Sequence, residues 1–477
     1  MSSITAIINI YKRPHTLDEQ IDAIRKQTIQ PENIFIWNNG NTINLDKYKN
    51  ITDIRVFDNN HNYGVWSRFL IGLLANTTYI CIFDDDTIPG NKWFENCINC
   101  MNKREALYGT IGVVFQNNLI KYNHKHRIGW DGNRNEIKFV DIVGHSWFFK
   151  KEWLTYFTRE LPDINNMKNN GEDIHFSYVL NKYGNISTCV PPHPPNDINL
   201  WGSKPHTAWK YGCDGKSETG PNLHKTYSTY MNKGFKLITN RLNATSNSDF
   251  NNFKNMIKMK IPFAIIRPSD GEYHVMQNTT LTNCDNWTFT KNSKLSSDLI
   301  YSIDVASKSN CYIGIPHECC NKDMANWYIN RFSISPLYLT FANIFVNNNW
   351  TKWIEFIKND PIIFTLISPY NKSDFLIEKH IYIPEYLVNT WDKDGDEYVN
   401  NILNEIKNNK NKIYMFSCGP ISKIIISRAW KEHPYNIYLD IGSSLDIFTK
   451  GVTNRYYTNN NDSLSKKICN FINYPDI

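Results

Sequence analysis

The chain has 477 residues, a formal net charge of +6 and no block of Lys and Arg, which argues against nucleic acid as its partner. That length exceeds what one hydrophobic core organises, so two domains are expected, and hydrophobic residues at 41% with aromatics at 14% suffice for both cores. No apolar run approaches the roughly 18 residues of a membrane span, and the N-terminus lacks a signal-peptide layout, so a soluble, cytoplasmic protein is expected. Eleven cysteines, an odd number without a framework, fit a reducing compartment. Cys97-X-X-Cys100 has no second pair and falls on an expected helix, which argues against zinc there.

In chain order, residues 4–10 are an apolar strand followed by Tyr11-Lys12-Arg13-Pro14. Residues 16–27 have helical spacing, with Leu17, Ile21 and Ile24 on one face. Residues 33–37 form a second strand ended by Asn38-Asn39-Gly40, and residues 54–57 a third. The turn Asn60-His-Asn-Tyr-Gly64 leads into a helix carrying Arg68 and Leu70 to Leu74. Tyr79-Ile-Cys-Ile-Phe83 is a continuous apolar run, as suits a central strand covered on both faces. Alternating strands and helices of this length imply an open, mostly parallel sheet, which binds ligands at the C-terminal ends of its strands.

The Tyr79 run ends in Asp84-Asp85-Asp86 and is stopped by Pro89-Gly90. Three adjacent carboxylates repel one another and require a cation or strong donors nearby. Mg²⁺ and Mn²⁺ prefer oxygen ligands, and alternation along an extended segment lets Asp84 and Asp86 point the same way. The plainer role is an acidic turn capping the helix near Trp93; the buried strand before the triplet favours metal. Gly171-Glu172-Asp173 opens a further helix, expected to run to Tyr183, where an acidic pair commonly serves as cap and dipole match.

The Ile-Ile-Asn-Ile-Tyr-Lys-Arg-Pro strand, the Asn60–Gly64 turn with its arginine helix and the strand ending in three aspartates together resemble a GT-A glycosyltransferase of the family 2-like group, over roughly the first 200 residues. The resemblance implies that Asp84 and Asp86 bind the divalent metal that holds the diphosphate of a nucleotide-sugar donor. It makes Arg13 a candidate for phosphate or base contact, alongside an ordinary surface arginine. Val143-Gly-His-Ser-Trp-Phe-Phe149 resembles the segment that shapes the donor and acceptor pocket, although an ordinary buried strand reads the same. In inverting members the position of Glu172-Asp173 holds the base, so Asp173 is expected to take the acceptor proton. A histidine late in such domains supplies a third metal ligand; His193 and His206 are the candidates here, and a loop histidine without a ligand role is the plainer reading of each.

Residues 212–249 are read as a linker between a first domain at 1–211 and a second at 250–477. In the second, residues 261–266 are a strand ending in Arg267-Pro-Ser-Asp270-Gly271-Glu272, where an Asp-Gly turn would be the simplest role. A strand, glycine turn and helix follow at Lys412 to Trp430, with Ser417, Gly419 and Lys423 where a helix N-terminus offers a phosphate site. Another strand ends in Leu439-Asp440-Ile-Gly442-Ser443. These three motifs resemble the GT-D glycosyltransferases, with Arg267-Pro-Ser replacing the aromatic-Gly filler usual before Asp-Gly-Glu. The resemblance implies that Asp270 and Glu272 are metal, donor and catalytic residues, that Ser417, Gly419 and Lys423 lie near the diphosphate, and that Asp440 ends its strand in the same crevice. Trp327, Trp350, Trp353 and Trp391 are sugar platforms or, more commonly for such residues, core.

The expectation is therefore an α/β protein of two Rossmann-like domains, an N-terminal GT-A mixed sheet and a C-terminal GT-D-like domain. It would be a bifunctional glycosyltransferase using Mn²⁺ or Mg²⁺ and nucleotide-sugar donors to extend a glycan acceptor. The alternative is a single active GT-A transferase with a degenerate C-terminal glycan- or nucleotide-binding domain.

Overall fold

The computed structural model describes residues 3–470 apart from 12, 41, 117–121, 130–134, 161, 163–166, 206–219, 283–286, 372–374 and 459–466. The chain divides into two compact units, residues 1–240 and 241–476. Residues 212–249, expected as a linker, contain the helices Gly220–Asn232, Ile238–Leu242 and the start of Ser246–Lys258. Tyr227 and Tyr230 of the first of these are buried in unit 1, so that helix belongs to a core. Among the described residues no helix is long and apolar enough to cross a membrane.

Unit 1 is built on strands β1 (Ile4–Ile10), β2 (Asn33–Asn39), β3 (Ile54–Asn59), β4 (Tyr79–Phe83), β5 (Ala106–Phe115), β6 (His124–Ile128), β7 (Lys138–Val140), β8 (Ile142–Lys150) and β9 (Ser187–Val190). They lie in one mixed sheet, ordered β3-β2-β1-β4-β8-β5-β9-β7, with β6 against β5. All seven residues of β1 and all five of β4 are buried, because helices cover both faces of a central parallel strand. Strands β1 to β4 run parallel, with Ile8 opposite Phe83, so the segments leaving β1 and β4 emerge side by side. Strand β8 runs the other way, Ser146 opposite Phe83, and delivers His145 to that same edge.

Unit 2 holds β10 (Phe263–Ile266), the hairpin β11 (Leu281–Thr282) and β12 (Thr288–Phe289), then β13 (Tyr312–Ile315), β14 (Leu339–Phe341), β15 (Phe364–Ser368), β16 (Ile377–Tyr382), β17 (Ile413–Phe416) and β18 (Ile437–Asp440). Seven of them form a wholly parallel sheet ordered β14-β13-β10-β18-β17-β15-β16. The two-residue period of a strand separates two cores: Phe263 and Ile265 join one cluster, Ala264 and Ile266 the other. Strand order reverses between β10 and β18, the place where such folds open a ligand crevice. Both units are thus α/β and Rossmann-like, as expected. Strand β16, unread in the sequence, is an edge strand, and its Ile-Glu-Lys-His-Ile-Tyr polarity reflects solvent on one side. Trp353 and Trp391 are core residues.

Candidate active site

In unit 1 the three aspartates leave β4 in different directions. Asp85 turns to Arg13, which grips it through both its guanidinium and its backbone N–H, the latter at 3.2 Å. Asp84 and Asp86 turn together, and with His145 they present ligand atoms that all lie within 4.8 Å of one another. The loop is held from beneath: Gln20 Nε2 donates to the carbonyls of Asp84 (2.7 Å) and Thr87 (3.0 Å), and Thr16 Oγ1 donates to that of Asp85 (2.7 Å). Burial, then the Asp84 charge, pushes the Asp86 carboxyl up, while His145 and Arg13 pull it down. A cation between these groups would relieve that conflict.

His145 reaches the aspartates because β8 bulges. Gly109 pairs with Trp147 and Ile111 with Gly144, so three residues of β8 advance against two of β5. His145 sits in that irregularity at φ 66°, a conformation rare for a residue other than glycine. Its carbonyl accepts from Asp84 N–H at 3.0 Å and Thr87 Oγ1 at 3.0 Å, and its Nδ1 lies 3.8 Å from Asp86 Oδ1. Two carboxylates and an imidazole form a donor set that suits Mn²⁺ and tolerates Mg²⁺ less well.

His193, expected as the third ligand, is not at this place. It is fully buried, its Nδ1 2.8 Å from the Pro191 carbonyl and its Nε2 accepting from Gly202 N–H at 3.5 Å, with Trp93 and Trp201 on either side. Burial pulls it down to about 4. A Pro-rich loop packed on tryptophans makes a core histidine of it. His206 lies outside the described residues. Sequence reasoning had placed His145 only in a pocket wall, since a lone histidine in an apolar strand carries no ligand spacing.

Behind the aspartates stands Arg68, with its side chain almost wholly buried. It bonds Asp84 through one nitrogen and Glu172 Oε1 through another at 2.7 Å, with its guanidinium 4.6 Å from the Trp147 ring centre. Glu172 and Asp173 open the helix Glu172–Val179, shorter than expected because a π-type turn, Leu180–Gly184, follows. Gly171 caps that helix at φ 90°, where an added Cβ would meet Thr226 at 2.5 Å. Asp173 is half-buried, and burial followed by the Glu172 charge pushes it up to about 7. Two residues on, His175 is committed to the core, between the Phe157 carbonyl and Tyr230.

In unit 2 the expected residues also converge, but on one another. Lys423 Nζ lies 2.8 Å from Glu272 Oε1, 3.0 Å from Asp440 Oδ2 and 3.1 Å from the Gly419 carbonyl, and it is buried. Glu272 also accepts the Ser269 backbone N–H at 3.0 Å, closing a capping box on the helix Asp270–Met276. Asp440 accepts Arg267 N–H at 2.9 Å. Asp270 is exposed. Ser417 and Gly419 line a crevice with Trp287, Gly442, Ser443 and Lys450. The helix Pro420–Glu432 begins there after Gly419, at φ 57°.

Residues 5–157 match the family model described as "Glycosyl transferase family 2". That segment is a glycosyltransferase domain. Solved structures similar to the chain include GalNAc-T7 with UDP, GalNAc and Mn²⁺, at 16% identity, 40% of this chain, 42% of that one and a TM-score of 0.31. The S. aureus TarS fragment 1–349 in complex with UDP is 13% identical over 40% of this chain and 57% of its own, with a TM-score of 0.30. A domain of unknown function 1792 is 16% identical over 43% of this chain and 81% of its own, also at 0.30. The chain spans less than half the length of the first of these structures. Comparison with curated protein sequences gives no match.

Proposed function

We propose that the protein is a cytoplasmic, metal-dependent glycosyltransferase that moves sugars from nucleotide-sugar donors to hydroxyls of a growing glycan. The observation that carries this reading is the convergence of Asp84, Asp86 and His145 at the end of β4, with Arg68 tying Asp84 to the acidic helix start. Mn²⁺ or Mg²⁺ held there supplies positive charge against the diphosphate leaving group. Arg68 fixes the Asp84 carboxylate, and its charge opposes the burial that pushes Glu172 up. Asp173, titrating near neutrality, accepts the proton of the acceptor hydroxyl as its oxygen bonds to the anomeric carbon. The carbon–oxygen bond to the diphosphate breaks in the same step, its electron pair leaves with the nucleoside diphosphate, and the anomeric configuration inverts. Arg13, anchored on Asp85, is the candidate for phosphate or base contact.

In the bifunctional form of this proposal, unit 2 is a second transferase of GT-D type. Asp270 and Glu272 are its metal and donor residues, and Ser417, Gly419 and Lys423 flank the diphosphate in the crevice beside Asp440. The parallel sheet and its reversal between β10 and β18 support that. The saturation of Lys423 by Glu272 and Asp440 favours the second form, one active transferase joined to a domain that binds a glycan or nucleotide. Nucleoside diphosphate release from a panel of nucleotide sugars with Mn²⁺ decides between them, comparing the wild type with Asp84→Asn/Asp86→Asn and with Asp270→Asn. Loss of different donors in the two variants establishes two active sites. Loss in the first variant alone leaves unit 2 a binding domain. No turnover of any donor, with or without glycan acceptors, refutes the enzyme reading.

A further inference from the structure

At the C-terminal end of β13 two thiols and an imidazole come together, with a third thiol beside them. His317, Cys319 and Cys469 present ligand atoms within 4.8 Å of one another. Cys320 stands beside this group without belonging to it: its Sγ lies 3.7 Å from that of Cys319, and it interacts with Cys469. Cys319 and Cys469 are also 3.7 Å apart, sulfur to sulfur. We propose that His317, Cys319 and Cys469 bind a structural zinc ion, with Cys320 drawn in as the fourth ligand.

The distances carry the argument. A tetrahedral zinc with Zn–S bonds near 2.3 Å places its sulfur ligands about 3.8 Å apart. Both sulfur separations, at 3.7 Å, lie close to that edge. A disulfide would need about 2.05 Å. Three cysteines with one histidine are also a recurrent closed zinc set, with no position left for a substrate.

The local structure presents these groups. His317 is the N-cap of the helix Glu318–Phe332, and its Nδ1 accepts Cys319 N–H at 3.0 Å, a hydrogen bond that gives way when the ring ligates zinc. Asn321 breaks the helical dihedrals at φ −160°, ψ 95°, so the turn carrying Cys319 and Cys320 stands apart from the rest of the helix. Asn343 Nδ2 donates to Cys469 Sγ at 3.3 Å, a hydrogen bond suited to a metal-bound thiolate. Lys467 acts electrostatically on Cys319 and Cys320, and its charge offsets the net negative charge of zinc with three thiolates. Cys469 exchanges backbone hydrogen bonds with Ser246, its N–H to Ser246 Oγ at 3.2 Å and its carbonyl from Ser246 N–H at 2.8 Å. The ion would therefore pin the segment around Cys469 both to the end of β13 and to the head of the helix Ser246–Lys258.

The test uses the full chain, purified under reductant, stripped with a chelator and titrated with zinc alone. About one equivalent per chain is expected. Cys319→Ser and Cys469→Ser should lose it, and Cys100→Ala, at the other cysteine pair, should keep it. Because the serine substitutions also alter buried packing, cobalt substitution of the wild type provides an independent readout. Sulfur-to-cobalt charge-transfer bands with tetrahedral ligand-field absorption are expected. The proposal is overturned if the wild type retains no more zinc than the serine variants, if cobalt shows only oxygen and nitrogen ligation, or if the folded chain carries a disulfide among these cysteines.

Discussion

Arg68 donates to Glu172 Oε1 at 2.7 Å across 104 residues of sequence, and its other terminal nitrogen bonds Asp84. One guanidinium thus joins the aspartate motif to the acidic pair that carries the candidate base. Lysine cannot reproduce it, because an ammonium has no planar fork to hold two carboxylates in fixed relation. Burial pushes Glu172 up, and the Arg68 charge is what opposes it. In Arg68→Ala, Glu172 is left buried without a counter-charge, a change that costs about 3–5 kcal/mol. Arg68→Ala is expected to lower the denaturation midpoint sharply, and Arg68→Lys to recover part of the stability but little of the sugar transfer. Chemical denaturation alongside nucleoside diphosphate release checks both. Full turnover in a stable Arg68→Lys would remove the positioning role.

His145 tests the metal reading independently of the aspartates. Its imidazole enters the cluster through a strand bulge, and its backbone carbonyl is engaged by Asp84 and Thr87 whatever the side chain is. His145→Ala should therefore keep the loop yet weaken Mn²⁺ binding by more than the roughly 10–100-fold that losing an outer-shell partner costs. Calorimetric titration of Mn²⁺ into wild type and variant reads this directly. Equal affinities would mean that the cluster does not use His145.

Asp173 gives a pH dependence with a definite sign. A base must be deprotonated to act, and burial with the Glu172 charge pushes this carboxyl up to about 7. Turnover should rise with pH and level off above about 7, the opposite of what a general acid would give. Asp173→Asn should lower turnover by about two to four orders of magnitude and abolish that limb, while donor binding persists. A variant that keeps the wild-type pH profile would make Asp173 a helix cap.

Asp141 concerns stability alone. It is buried, and its two oxygens accept Phe115 N–H at 2.7 Å and Ile238 N–H at 2.8 Å, joining β5 to Ile238 within unit 1. Burial raises its pKa to about 7 against an ordinary carboxylate value near 3.9. Between those values the folded state binds the more protons, so its contribution favours folding at low pH and is lost as pH rises toward 7. Asp141→Ala removes this dependence and leaves two buried donors unpaired, at about 1–3 kcal/mol each. Thermal denaturation from pH 5 to pH 8 should show the variant less stable throughout, with a deficit that narrows as pH rises.

What the sequence made legible follows from how local each signal is. The apolar runs of β1 and β4 and the triplet after β4 are contiguous, so both the parallel sheet and the Asp84–Asp86 pair could be read directly. Arg68 was visible only as a residue on a helix, since its two partners lie 16 and 104 positions away. His145 was hidden because a bulge, not spacing, aims it. His193 misled because a histidine among prolines reads as a loop, whereas Trp93 and Trp201 enclose it. Cys97 and Cys100 drew notice as a pair, while Cys319 and Cys469 stand 150 residues apart and are joined only by folding. In unit 2 the motif residues were found, but not that Lys423 would neutralise two of them.

That neutralisation yields the last prediction. Lys423 is buried between Glu272 and Asp440, and their charges hold its pKa above the ordinary lysine value against the effect of burial. For a raised lysine the stabilisation is present below the unfolded pKa and fades as pH climbs through the folded one, so across neutral pH it is complete. Lys423→Met keeps the volume and removes the charge, leaving two carboxylates buried together. The expected loss is about 3–5 kcal/mol. Because protonating either carboxyl relieves the repulsion, the loss should shrink as pH falls toward 5, a trend that cavity formation would not give. If unit 2 is a metal-dependent transferase, the same variant should bind Mn²⁺ more tightly than the wild type, because Glu272 and Asp440 are released from their competing cation. If unit 2 only binds a glycan or nucleotide, Lys423→Met should lose stability without gaining metal affinity. Denaturation over pH and Mn²⁺ titration of this one variant therefore bear on the fold and on the function of unit 2 together.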